Sequence, residues 1–420
     1  MSSVSSVGSG GSDGSDDAVT VVGIGADGWP GLAEASRAAL RDADVVLGSR
    51  RQLDLLPPDV AAERVPWPSP LAPSVEPLVR RHAGRRTAAL ASGDPSFHGL
   101  GTTLVRLLGA DRVRVLPHPS AASLACARLG WPLDATEVVS AVGKPVEQVH
   151  RALQPGRRLL VLSAGAATPA AVARLLTDAG YGGSRLTVLA DLGADGETVT
   201  TATAATWPDA AAAPLNVVAV ECVADPGTPL RAAVPGLPDD AFEHDGQLTK
   251  REVRAVTLAR LAPVPGQLLW DVGAGAGSVA IEWARTHPAC RAAAVEADED
   301  RASRIARNAA ALGVPAVEVV HGTAPDALKD LDPPDAVFVG GGSTAPGVLE
   351  ACWTALAAGG RLVVNAVTLE TEAVVLRWHD DVGGDLTRIA VERAAPVGGF
   401  TAWRPLLPVT QWAVTKPWPP

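Results

Sequence analysis

Short apolar runs bounded by glycine, proline or aspartate alternate along most of the chain with longer alanine-rich stretches of helical character. That alternation predicts an α/β architecture, because a strand and the helix after it must each bury one apolar face against the other. AVTVVGIG reads as a strand ending near Gly25, and VVLGSRRQLDLL contains another ending at Gly48. Further strands precede Gly93, end at Ser163 in RRLLVLS, and end near Cys222 in PLNVVAVEC. LTVLADLGADGETVTTAT reads as strand, acidic glycine-rich turn and strand. A second series opens with a helix over residues 248–261, then the strand Leu268–Val272 and a helix over 278–285. It continues with RAAAVEAD, ending in Glu296, with DAVFVGG, and with GGRLVVNAV, whose end at residues 365–368 reaches the same rim.

Between the two series, VADPGTPLRAAVPGLPDDAF is dense in Pro, Gly and Asp and has no regular period, so it reads as a linker. The expected organisation is a disordered tail over residues 1–18, a first domain over 19–225, a linker over 226–242 and a second domain over 243–420. The tail, MSSVSSVGSGGSDGSDDA, lacks the basic and apolar regions of a signal peptide. The apolar runs at 159–164 and 215–220 fall far short of the roughly 20 residues that span hydrocarbon, so no membrane partner is expected.

Composition narrows this picture. At about 100–200 residues per domain, 420 residues ask for two or three cores, and 47% hydrophobic with 20% charged residues excludes a mostly disordered chain. The 36 Lys+Arg against 46 Asp+Glu give a net charge of -10, which disfavours broad binding to nucleic acid or anionic membrane. A locally basic pocket for an anionic small molecule remains compatible with it. Cys126, Cys222, Cys290 and Cys352 stand far apart with no metal-ligand spacing, so they read as core thiols of a cytosolic protein that holds no metal. The 11 tryptophans are scattered and read as packing.

The sharpest chemistry lies in LLWDVGAGAGSVAIEWAR, where a strand meets Gly273, Gly275 and Gly277 before a helix. Glycines tolerate positive φ and admit a ligand against the backbone at the carboxyl end of a parallel strand. Glu296, at the end of the next strand, is suited to a ribose diol. A dinucleotide site shares these features. Asp271 directly before the turn, the GAGAG form and the later VEVVHGTAPDAL point instead to S-adenosylmethionine, with residues 321–324, including Gly322, Thr323 and Ala324, beside adenine. Upstream, Lys250, Arg251 and Arg254 are candidates for clamping carboxylates, with a solvated helix face as their plain alternative. His244 and Asp245 are either substrate-side or N-capping residues. Asn365 either orients a substrate or caps a loop.

In the first series the tight turn Gly93, Asp94, Pro95 exposes backbone amides between a strand and a helix. Ser120 and Ser123 stand at a helix start, as ligand contacts or caps, and Ser163 ends a strand before Thr168 and Pro169 restart a helix. The opening loop, with Gly25, shapes a substrate cleft. Three loops are expected to converge there. No catalytic residue is assigned.

VVGIGADGWPGL, ASGDPSFHG, HPSAASLACARLGWP and ADLGADGETV resemble the tetrapyrrole methylase family, and FEHDGQLTKREVRA with WDVGAGAGSVAIEWA resembles class I methyltransferases of the CbiT kind. Together they resemble the decarboxylating precorrin C5,15-methyltransferases, fusions of CbiE-like and CbiT-like halves, over almost the whole chain. The resemblance implies an N-terminal tetrapyrrole-methylase fold of two α/β subdomains and a C-terminal class I (Rossmann-like) fold. It implies one S-adenosylmethionine site per domain, with Gly93, Asp94 and Pro95 as the cofactor loop of the first and Ser120, Ser123 and residues 163–166 as further contacts. It further implies a precorrin substrate methylated at C5 by the first half, and at C15 with loss of the C12 acetate carboxyl by the second. Self-association as a tetramer through the second half is also implied. Thr323 departs from the pattern, standing where many class I enzymes carry an acidic residue. The alternatives are a non-catalytic protein binding S-adenosylmethionine or tetrapyrrole, and an NAD-dependent oxidoreductase.

Overall fold

A computed structural model describes residues 18–69 and 71–419, so the expected tail lies, but for its last residue, outside the described residues. The chain divides into two compact units. The first comprises residues up to Gly143 together with Arg157–Arg174 and Gly183–Glu221; the second takes Lys144–Gly156, Leu175–Gly182 and Cys222–Pro420. The units therefore do not meet at one cut in the sequence.

The first unit holds two five-stranded sheets. One is wholly parallel, in the order Glu63–Pro66, Val45–Gly48, Thr87–Ser92, Val19–Ile24, Val113–Leu116. Its central strands are buried almost throughout, as a sheet covered on both faces requires. The other is mixed, ordered Glu137–Ser140, Arg158–Leu162, Asn216–Glu221, Arg185–Ala190, Thr198–Thr203, with a parallel pair at one edge only. Two α/β layers in one unit agree with the expected pair of subdomains.

The second unit is built on seven strands: Glu318–His321, Arg291–Glu296, Leu268–Val272, Ala336–Val339, Arg361–Ala366, Val409–Thr415 and Asp385–Ile389. The first five run parallel; the last two join antiparallel. Strand order reverses between Leu268–Val272 and Ala336–Val339, the place where an open sheet of this kind takes its ligand. The helix Ser278–Thr286 is buried from Ser278 to Arg285, so it packs on every side rather than along one stripe. Trp270, Trp283 and Trp412 are fully enclosed, which agrees with reading the tryptophans as packing, whereas Trp403 and Trp418 are exposed and depart from it. All four cysteines are buried and none is in a disulfide. No helix of the described residues is long and apolar enough to cross a membrane.

The helix expected over 248–261 begins at Arg251, because Lys250 is extended at the N-cap position. Beyond the main sheet, Glu392–Val397 and Phe400–Pro405 form a separate two-stranded hairpin, tied through Arg393 to Asp239 and Glu252.

Candidate functional site

In the second unit the chain turns at Gly273, Gly275 and Gly277 with φ of 68°, 60° and 75°. A Cβ at Gly273 would lie 2.7 Å from the Gly341 carbonyl oxygen, one at Gly275 2.8 Å from that of Gln247, and one at Gly277 2.6 Å from the Ile305 side chain. The turn is thus roofed by the loop at 340–344 and by the segment before helix Arg251–Leu261. Asn308 fixes that segment: it donates to the carbonyls of Ala276 and Glu243 and accepts from the Glu243 amide. Nothing in the sequence around Asn308 signals this task.

Two carboxylates flank the turn. Glu296 is buried, and its oxygens accept from the amides of Gly275 (2.7 Å) and Asp298 (3.1 Å). Each carboxylate oxygen has a second acceptor position, so a hydroxyl donor can still be received. Asp271 lies deeper: one oxygen accepts from the Ala280 amide at 2.9 Å, while Oδ1 is buried with no hydrogen-bond partner. Burial, with Glu296 adding to it against the opposing Ala280 bond, pushes this carboxyl up to about 7. An unpaired buried oxygen beside a turn that tolerates no side chains is a fitting environment for a cationic group.

Residues 321–324 follow the adjacent strand Glu318–His321. His321, Gly322 and Thr323 line a groove of about 540 Å³ together with Val320, Asp326 and Leu331. The Gly322 amide donates to the Glu296 carbonyl, tying this segment to the ribose candidate.

The basic cluster does not survive as a set. Arg254 is fully buried; its guanidinium donates to Glu282, Asp239 and the carbonyls of Thr249 and Leu237, and it covers the Phe242 ring. Every face of it is occupied, which removes it from contact with a substrate carboxylate. Arg251 is exposed and Lys250 half-buried at the helix start, so spacing by three did not make Arg251 and Arg254 equivalent. His244 and Asp245 do not cap this helix: each accepts from an amide two residues on, and Asp245 is also paired with Arg301 and Arg304. Asn365 joins a network with Thr257 and Gln411 rather than capping its own loop.

In the first unit three parallel strands deliver Gly25, Gly93 and His118 to one edge. Gly93 has φ 60° and donates to the Ile24 carbonyl; a Cβ on it would lie 3.2 Å from the Ser120 Cα. Asp94 folds its own loop by accepting from the Ser96 amide, and the Pro95 carbonyl accepts from the Gly101 amide. Ser120 caps helix Ala121–Leu129 through the Ser123 amide and is 2.9 Å from the Ser123 hydroxyl, which realises the capping alternative. Ser163 donates to Asn216 on a neighbouring strand of the mixed sheet. Gly25 is wedged against the pair Asp27 and His118, neither of which the sequence reading singled out.

Residues 18–208 match the family described as tetrapyrrole (corrin/porphyrin) methylases, and residues 240–416 match the family described as a precorrin methyltransferase domain. A Sinorhizobium protein named precorrin-6Y C(5,15)-methyltransferase (decarboxylating) is 48% identical over 398 residues, covering 95% of this chain and 96% of the relative. A Mycobacterium tuberculosis protein of the same name is 50% identical over 401 residues, covering 95% and 100%. A solved C-terminal domain of a precorrin-6Y C5,15-methyltransferase from Rhodobacter capsulatus shares 44% identity, covers 44% of this chain and 100% of its own, and superposes with a TM-score of 0.42. The dinucleotide oxidoreductase and the non-catalytic binder give way to an enzyme, and with about half of its residues shared along 95% of its length the chain belongs to the decarboxylating precorrin-6Y C5,15-methyltransferase family.

Proposed function

We propose that this chain methylates precorrin-6B at C5 and C15 and releases the C12 acetate carboxyl as carbon dioxide, giving precorrin-8X of cobalamin biosynthesis. In this reading the C5 transfer belongs to the domain over residues 19–225, and the C15 transfer with decarboxylation to the domain over 243–420, the two joined by residues 226–242. The observation that carries it is that each unit presents its own glycine-dependent turn at the carboxyl ends of parallel strands, at Gly93 and at Gly273–Gly277. S-adenosylmethionine supplies a methyl group on a positively charged sulfur when bound.

Asp271 and Glu296 then hold the donor's charge and ribose, Gly273, Gly275 and Gly277 admit it against the backbone, and Gly322, Thr323 and Ala324 border its base. In the first domain Gly93, Asp94 and Pro95 take the donor, with Ser120, Ser123 and Ser163 around them and Gly25 on the acceptor side. Lys250 and Arg251 remain at the second site as partners for peripheral carboxylates, His244 stands in the loop before them, and Asn365 acts from the sheet rim. Alignment of donor and ring carbon is the main service the protein renders, and the conjugated ring accepts the electrons freed by decarboxylation.

We further propose a homo-oligomer, a tetramer through the second domain. The exposed hairpin supports it, with Phe400 84% and Trp403 71% exposed beside Val397. Four cysteines outside any disulfide suit the cytosol. Incubation with methyl-labelled S-adenosylmethionine and precorrin-6B tests the main reading. Two methyl groups incorporated per carbon dioxide released are expected, and one methyl group would sink the bifunctional claim.

A further inference from the structure

We propose that Asp27, set beside His118 in a cradle that only glycines permit, is the proton acceptor of the methyl transfer in the first unit; this rests on the assignment of C5 methylation to that unit. Asp27 Oδ1 lies 3.3 Å from His118 Nε2 and, among the described residues, is buried with no hydrogen-bond partner. The two residues come from different strand ends: Asp27 from the loop after Val19–Ile24 and His118 from the loop after Val113–Leu116. A Cβ at Gly25 would overlap Asp27 Oδ1 and lie 2.8 Å from His118 Nε2, so a side chain there would wedge the pair apart. A Cβ at Gly31 would overlap the other carboxylate oxygen, and Gly193, from the acidic turn after Arg185–Ala190, stands 3.9 Å from the Asp27 Cβ by the same measure.

The pair adjoins the Gly93 turn. A Cβ at Gly23 would overlap the Gly93 carbonyl oxygen and lie 2.8 Å from the His118 amide nitrogen. Of the two side chains, Asp27 keeps 29% of its surface open and His118 8%, so Asp27 is the member a bound ring can reach and His118 is the positioning residue behind it.

The chemistry at C5 requires such a group. C5 is a bridging carbon that carries hydrogen. As the methyl carbon is transferred, the new carbon–carbon bond uses an electron pair of the ring, and the pair of the broken sulfur–carbon bond stays on sulfur. The ring carbon then holds both methyl and hydrogen. Conjugation returns when the hydrogen leaves as a proton, its bonding pair going back to the ring and the proton to the Asp27 carboxylate, which later releases it to water. No oxidant or further reactant enters. A positioned base contributes about 10²–10⁴-fold to such a step.

The test uses the full chain with precorrin-6B, labelled methyl donor and substrate carrying deuterium at C5. Asp27→Asn keeps the side-chain shape. It is expected to slow C5 methylation about a hundredfold, to make that step slower still with the deuterated substrate, and to leave donor binding, C15 methylation and carbon dioxide release within twofold. His118→Gln is expected to lower the C5 rate constant more than substrate affinity. A C5 rate within twofold of wild type for Asp27→Asn overturns the proposal, as does a slow variant with no deuterium sensitivity. Should Asp27→Asn lose donor binding as well, His118→Gln decides, and an unchanged C5 rate there overturns the pair. A wild-type chain that adds no methyl at C5 would instead refute the assignment of C5 to the first unit, a different result from any of these.

Discussion

Asp271 binds one amide with one oxygen and leaves the other bare inside the sheet, and its proton affinity follows. The folded carboxyl rises from an ordinary 3.8 to about 7, mainly through burial, so between those values the native state holds a proton that the unfolded chain has released. Stability from this group is therefore full below pH 4 and falls as pH climbs through 7, by roughly 4 kcal/mol at most. His150 works in the opposite sense: burial, with Arg231 beside it, lowers it to about 4, so its contribution is full above about 6.5 and is lost on acidification towards 4. The two oppose each other in the wild type, and a difference between variants isolates the carboxyl. Asp271→Asn, which keeps an acceptor for the Ala280 amide, should gain roughly 1–3 kcal/mol at pH 8 and little at pH 5 in denaturant titrations. The same variant should bind S-adenosylmethionine more weakly at pH 8, measured by calorimetry. The position of Asp271 was legible because an acid one residue ahead of a glycine turn is a local pattern. Its protonation was not, since that depends on the strands to either side. Asp27 and His118 escaped notice for a related reason: they meet only because Val19–Ile24 and Val113–Leu116 pair.

Helix Arg251–Leu261 illustrates where periodic reading succeeds and where it misleads. Its existence was legible in the chain, but Arg251 and Arg254, three residues apart, do not share a surface. In the folded chain Arg254 points inward to Glu282 and Asp239, which also collect the amides of Gly236, Leu237 and Arg251. The guanidinium thus ties the segment before the helix to helix Ser278–Thr286, a role no local pattern encodes. Breaking it leaves Glu282 charged and buried, a loss of about 3–5 kcal/mol. Arg254→Ala should lower the unfolding midpoint sharply, and Arg254→Lys should recover little, since an ammonium cannot span the same fork of acceptors. Substrate affinity of the fraction that stays folded should be unchanged. Thr257, one turn on, joins Asn365 and Gln411 in the same manner, so the rim residue Asn365, expected to orient a substrate or cap a loop, is engaged by side chains distant in sequence.

The alternation of strands and helices made both architectures readable from the chain, whereas the reversal of strand order beside the glycine turn emerges only from the pairing of the strands. The allocation of residues 144–156 and 175–182 to the second unit was not readable, because they lie within a continuous α/β series. The exposed hairpin gave no sequence sign either, since an aromatic on a lone ribbon resembles any strand aromatic. Phe400→Ser with Trp403→Ser should shift the chain to a smaller species in sedimentation while leaving the melting of the isolated protomer within a few degrees. The sheet of the second unit carries one more implication. Its strand Val409–Thr415 is the last in sequence, yet it lies between Arg361–Ala366 and Asp385–Ile389 and is the sheet partner of the latter. Directly after it, Lys416 donates to the carbonyls of Trp353, Thr354 and Leu356 at the end of helix Val348–Ala355. During synthesis Arg361–Ala366 must therefore wait with an open edge and Asp385–Ile389 with no sheet partner, and a ribosome that stops before residue 409 releases a protein with one bare sheet edge and one unpaired strand, a form suited to clumping and to removal by proteases.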